Sequence, residues 1–135
     1  VDGEEAGLTG STYYTKHPLV PKDKVVAILN MEQVGVGLML GVDYHYGYPE
    51  LAELSKKANK DYVHRRLHAG ESHFLTRPRT DGAVFMQAGY PCMDLWALGG
   101  GYYHHPKDNT TSINPETLRG VAEWLFWSAI YIADK

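Results

Sequence analysis

Cysteine is nearly absent from this 135-residue sequence. The single thiol, Cys92, cannot close an intrachain disulfide, which excludes a disulfide scaffold, and without a thiolate cluster there is no basis for an iron–sulfur centre or a structural zinc knot. No apolar run approaches the roughly 20 residues that a membrane span requires. Positive charge is also scarce: 13 Lys and Arg stand against 16 Asp and Glu, the net charge is −3, and no basic stripe is present to follow a phosphate backbone, so nucleic acid is not the expected partner. The sequence has no phosphate loop, no dinucleotide fingerprint, no nucleophile elbow, no internal repeat and no low-complexity tract. It opens on Val1, and Asp2, Gly3, Glu4 and Glu5 read as the middle of a longer chain. What is present suits a folded α/β protein: 44% apolar residues, 14 Gly, 7 Pro and 10 Tyr, in a length that ordinarily holds one hydrophobic core.

Local patterns divide the chain into alternating strands and helices. Residues 11–17 read as a short helix stopped by Pro18, and Lys24 to Met31 as a continuous apolar strand of the kind covered on both faces, with Glu32 at its carboxyl end. Val36 to Val42 is a second strand, followed by a Tyr-rich turn and a helix from Pro49 to about Lys60. The stretch from Asp61 to Arg79 has no clean period and reads as irregular. Thr80 or Asp81 caps a short helix through Gln87, with Gly89 as its stop, and Tyr90 to Leu98 contains a buried strand. Asn114 as N-cap, Pro115 and Glu116 open a closing helix to about Ala133, with Leu118, Val121, Ala122, Leu125, Ala129, Ile132 and Ala133 at helical spacing and Trp124, Phe126 and Trp127 widening the stripe. Met31, Met39, Met86, Met93 and Cys92 are core candidates, whereas His17, His45, His64, His68 and His73 are expected on the surface or in loops.

Three short stretches carry groups that could do chemistry. Glu4 and Glu5 are adjacent on a Gly-flanked loop, an arrangement that suits either solvent screening or neutralisation by a cation. Glu32 ends an apolar strand, where α/β sheets place their ligand crevice, although strand-end carboxylates are also common in plain contact with water. His104 and His105 follow Tyr103 beside a Gly-rich break and offer imidazole nitrogens, with Asp108 four residues beyond His104 to orient a ring; paired loop histidines are more often simply solvated. Carboxylates and imidazole together suit a divalent ion of the zinc class.

Taken together, these stretches resemble the zinc aminopeptidases of co-catalytic metallopeptidase family twenty-eight, which also includes glutamate carboxypeptidase-like and transferrin-receptor-like members. GEEAGLTGSTYY is similar to the family's Gly-Glu-Glu-x-Gly-Leu-x-Gly-Ser segment and KVVAILNMEQVG to its strand ending in Asn-x-Asp-x-x-Gly. RTDGAVFMQAGYP is similar to Ser-Asp-His-x-x-Phe-x-x-Ala-Gly-Ile-Pro, and YYHHPKDNTTSIN to Tyr-His-x-Pro-x-Asp-Thr before the last helix. The order agrees along essentially the whole chain.

The resemblance implies a mixed, mostly parallel sheet with flanking helices, forming over residues 1–135 the carboxyl-terminal part of one zinc-exopeptidase catalytic domain. It implies two zinc ions and a peptide substrate. Glu4 would be the general base that takes a proton from the attacking water and passes it to the leaving amine, and Tyr103 would donate to the tetrahedral oxyanion. Glu5, Glu32 and His104 would be metal ligands, with Asp81 and Asp108 supporting them. Glu32 stands where the family has Asp, and Gly82 where it usually has His. The family's His-x-Asp ligand segment and metal-bridging Asp lie upstream of its Glu-Glu motif, so only three of five ligands fall in this chain, and the chain alone is expected to be inactive. Self-association, or pairing with the absent amino-terminal half, is expected because strands patterned for coverage on both faces lack some of their partners, and the resemblance favours a periplasmic or extracellular location. A non-catalytic, transferrin-receptor-like binding domain and a glutaminyl-cyclase-like acyl transferase are the alternatives on the same scaffold.

Overall fold

The computed structural model describes residues 1–72, 77–97, 99 and 102–135. Its four strands, β1 (Ile28–Glu32), β2 (Leu40–Tyr44), β3 (Leu67–Glu71) and β4 (Cys92–Trp96), form one sheet in the order β1-β4-β2-β3. β1 pairs with β4 and β2 with β3 in parallel, while β2 and β4 run antiparallel, so the sheet is mixed and mostly parallel. Among the described residues four α-helices flank it: α1 (Thr9–Lys16), α2 (Pro49–Ala58), α3 (Asp81–Gln87) and α4 (Pro115–Ala133). Among the described residues no helix is long and apolar enough to cross a membrane.

Strand alternation gives the sheet two unlike faces. Leu40, Val42, Met93 and Leu95 point to one, where α2 and α4 cover them together with Leu51, Ala58, Val121 and Trp124. On the other face Cys92 joins Phe85, Met86 and Tyr90 in a smaller core, against which Ile28 and Tyr14 pack. Farther along this second face the register sets Asn30 of β1 beside Asp94 of β4, and Asp94 beside Asp43 of β2. Three polar residues thus cross the sheet in one row, toward the carboxyl ends of β1 and β4.

Several sequence expectations are refined here. β1 begins four residues later than the apolar run: Lys22–Lys24 turn in a 3-10 helix, and pairing with β4 starts where the Ile28 N–H donates to Pro91 O. β1 is also paired on one side only among the described strands, which leaves Met31 49% exposed instead of in the core, while Met39 is half-buried. β2 likewise starts at Leu40, after a loop.

The stretch read as irregular contains β3, and α2 continues into a π-helical turn over Asn59–Val63. His45 is buried, stacked on Tyr46, with its Nδ1 accepting the Gly47 N–H; His73 lies outside the described residues. Thr80, not Asp81, caps α3, its Oγ1 accepting from the Ala83 N–H.

α4 starts and stops as its pattern predicts, with Asn114 Oδ1 accepting the N–H groups of Glu116 and Thr117. Its buried line is Thr117, Val121, Trp124, Ser128 and Ile132, and Leu118 and Phe126 are exposed. The helix is rotated so that Trp124 Nε1 can donate to Ser55 O and Thr117 Oγ1 to Gly37 O, which satisfies polar groups inside the core. Trp127 meets a second surface as expected, stacking on Tyr62 of the π turn with ring centroids 3.8 Å apart.

Candidate active site

At the carboxyl ends of β1 and β4 a cavity of about 470 Å³ opens, the position where α/β sheets place their ligands. Glu4 and Glu5 reach it from a turn in which the Glu4 carbonyl accepts the N–H groups of Gly7 and Leu8. Glu32 reaches it from the end of β1, where Gln33 takes a left-handed backbone (φ 45°) and turns the chain away. Tyr103 lines the cavity from the loop before α4. Beside it His104, also left-handed (φ 54°), stacks on the Tyr103 ring at 3.9 Å and sets its Nε2 2.8 Å from Glu5 Oε1. A non-glycine residue holds that conformation at a cost of about 1–2 kcal/mol, and such strain tends to gather where a side chain must be aimed.

Five of the seven residues singled out from the sequence, Glu4, Glu5, Glu32, Tyr103 and His104, therefore meet at one place although they come from three separate stretches. Asp81 sits close behind them at the start of α3, buried, and its Oδ1 has no hydrogen-bond partner among the described residues. Asp108 is placed differently. Its Oδ1 accepts from the Ser112 hydroxyl in an exposed loop, and it lines a neighbouring cavity with Gln33, Tyr102 and Ile113. The ring of His104 is met by Glu5, not by the carboxylate four residues on.

The electrostatics follow from crowding acids around a partly dry cavity. Burial first, then Glu5 and Asp81, push the Glu4 carboxyl above its ordinary range, against a smaller opposing pull from His104. Glu32 is raised to about 7, chiefly by burial; the Asn30 hydrogen bond opposes this, and Asp94, Glu4 and Asp81 add to it. Asp94 is raised to about 6 by burial, against the hydrogen bonds from Thr80 and Asn30. Cys92 is buried and its thiol is pushed far up, so it is an inert core group.

Asp94, Asn30, Thr80, Asp43 and Trp96 are site residues that the sequence reading missed. A carboxylate inside CMDLW and an amide inside VVAILNM, two residues before Glu32 and on its face of the strand, were the available signals: polar residues within apolar strands are retained where something binds them. Trp96 lies across Gly41 of β2, where a Cβ would overlap its indole, and Trp96 Nε1 is buried without a hydrogen-bond partner among the described residues. The donor set of carboxylates and one imidazole suits a zinc-class ion. Among the described residues no three His, Cys, Asp or Glu come together closely enough to hold an ion on their own. The fit is that of part of a ligand set.

The model of Peptidase family M28 matches residues 1–127. The chain belongs to this family. It is 29% identical over 122 residues to the vacuolar membrane protease of Lodderomyces elongisporus, a match over 87% of this chain and 12% of that protein. The M28 chain also shares its fold with the LapA aminopeptidase of Legionella pneumophila (TM-score 0.80, 19% identity, 98% of this chain and 38% of that one). A similar likeness holds to BSAP, a zinc aminopeptidase from Bacillus subtilis (TM-score 0.75, 23% identity, 93% and 32%). The chain thus spans well under half the length of each of these relatives.

Proposed function

We propose that this M28 chain is the carboxyl-terminal part of the catalytic domain of a zinc-dependent aminopeptidase, which removes amino-terminal residues from peptides. The observation that carries the reading is the meeting of Glu4, Glu5, Glu32, Tyr103 and His104 at one strand-end cavity. Glu5, His104 and Glu32 would hold zinc, with the remaining ligands supplied from outside residues 1–135. Bound zinc would supply Lewis acidity, activating water and polarising the scissile carbonyl.

Glu4 then receives the proton of the attacking water and returns it to the departing amine. A carboxylate kept partly dry beside other acids is a stronger base than a solvated one, which suits it to both transfers. Tyr103 donates its hydroxyl hydrogen to the oxyanion of the tetrahedral intermediate. The pairing of β1 on one side only among the described residues, together with exposed Val26 and Met31, supports docking of this chain against the amino-terminal part of the domain.

Hydrolysis of a leucine arylamide by the full-length protein tests the assignment, with a glutaminyl peptide assayed beside it. Chelator-sensitive release of the arylamine, lost in Glu4→Gln, is the expected result. Cyclisation of the glutaminyl peptide without arylamide hydrolysis would move the site to acyl transfer, and a full-length protein without zinc would make it a binding domain.

A further inference from the structure

Asn30 donates through one nitrogen to two acids: Nδ2 lies 2.7 Å from Glu32 Oε1 and 3.0 Å from Asp94 Oδ1. A primary amide carries two hydrogens on that nitrogen, so both bonds form together and fix which way the amide faces. Asp94 is itself held from its other oxygen, because Thr80 Oγ1 donates to Oδ2 at 2.7 Å. The Thr80 hydroxyl is in turn fixed by the Ala83 N–H at 3.0 Å, within the cap of α3. The carboxylate also lies against Gly82, where any Cβ would overlap it, and Asp94 is 4% exposed. A rigid line therefore runs from the start of α3 through Asp94 and Asn30 to the carboxylate of Glu32.

We infer that Asp94 is a positioning residue that acts through Asn30 to hold the Glu32 carboxylate in its ligating orientation. The inference rests on the reading of Glu32 as a metal ligand. Glu has one more rotatable bond than Asp, and a ligand at the end of a longer arm loses more torsional freedom when it binds. A hydrogen bond made before the ion arrives removes part of that loss, as outer partners of metal ligands commonly do. Asp94 is suited to this task because one of its oxygens is anchored to Thr80, itself fixed in the cap of α3, which leaves the other to hold Asn30.

A purely structural role, capping α3 and filling the space beside Gly82, would need no communication with Glu32. The two roles separate in a double-mutant cycle on the full-length protein, read by Co²⁺ titration followed through its visible absorption and by kcat and KM. Asp94→Ala should weaken Co²⁺ binding about tenfold and lower kcat with KM changed less than about twofold. In a Glu32→Ala background, where the carboxylate it positions is gone, the same substitution should add less than about twofold.

Asp94→Asn should recover Co²⁺ affinity to within about threefold of the parent, since the amide oxygen can accept from Asn30 while its nitrogen donates to Thr80 Oγ1. Asn30→Ala cuts the line at the other end and gives the same readout if Asp94→Ala does not fold. A Glu32→Ala variant with undiminished Co²⁺ affinity would overturn the ligand reading and this inference with it. Loss of affinity in Glu32→Ala, with Asp94→Ala either silent or multiplying that loss, would overturn the inference alone.

Discussion

Gly82 and Asp94 share one volume: the Asp94 carboxylate lies where a side chain at position 82 would begin. Glycine is a poor helix former, costing about 0.5–1 kcal/mol relative to alanine in a helix interior. Here it is kept for close approach, and it lets an acid on β4 reach the cap of α3.

Gly82→Ala should therefore destabilise the fold even though alanine favours helix. Overpacking of about 1–3 kcal/mol is expected, because the carboxylate must leave Thr80 or Asn30 to make room. Adding Asp94→Ala to Gly82→Ala should recover part of the loss, since the colliding group is gone. Urea unfolding of the single and double variants measures both, and equal stability of Gly82→Ala and its parent would show that Asp94 can relax freely.

Buried Asp94 and half-buried Glu32 give a pH dependence whose sign is opposite to that of a salt-bridged carboxylate. Asp94 titrates near 6 and Glu32 near 7 in the fold, above the ordinary values of 3.8 and 4.5. Between those limits the folded chain holds more protons than the unfolded one, so stability falls as pH rises. The contribution is fully present below about pH 4 and is lost as pH passes through 6 to 7. For Asp94, which is nearly inaccessible, the loss is on the order of 2–3 kcal/mol. Unfolding of the metal-free protein at pH 5 and pH 8 should show the greater stability at pH 5, and Asp94→Asn should flatten that slope.

Glu4 and Glu5 are neighbours in sequence with different expected roles, and two substitutions separate them. Glu4→Gln in the full-length protein should lower turnover by about two to four orders of magnitude with zinc content retained, because only proton transfer is removed. His104→Ala should instead lower zinc content, since it deletes the imidazole that faces Glu5 at 2.8 Å. Metal analysis beside kinetics distinguishes the two, and loss of zinc in Glu4→Gln would move Glu4 into the ligand set.

Much of the fold could be read because its elements carry their own punctuation. Asn114 with Pro115 marked α4, and Thr80 or Asp81 marked α3, where Thr80 proves to be the cap, through local hydrogen bonds that need no tertiary partner. β3 escaped because Leu67, Ala69 and Gly70 form a strand only by pairing with β2, and its exposed His68 and half-buried Gly70 leave no clean alternation. The site divides in the same way. Glu4, Glu5, Glu32 and His104 stand in short motifs whose spacing is visible along the chain. Asp94 and Asn30 stand out along the chain only as polar residues within apolar strands, and the register of β1 on β4 is what sets them side by side.

The chain by itself should not hydrolyse peptides. Glu5 and His104 face one another and Glu32 lines the same cavity, but among the described residues no three His, Cys, Asp or Glu come close enough to hold one ion. A catalytic zinc commonly takes three protein ligands, and a two-metal site must also fix the spacing of its ions at about 3.5–4 Å, which takes a group shared between them. Supplied with zinc at concentrations that saturate the full-length protein, residues 1–135 should release no arylamine from a leucine arylamide above the rate of the zinc-containing buffer. Activity should return on mixing with the amino-terminal remainder if that part docks along β1, the strand that exposes Met31 at the sheet edge. Zinc-dependent turnover by residues 1–135 alone would mean that the ligands in this chain are sufficient, and the assignment of the missing ones to the remainder of the protein would fall.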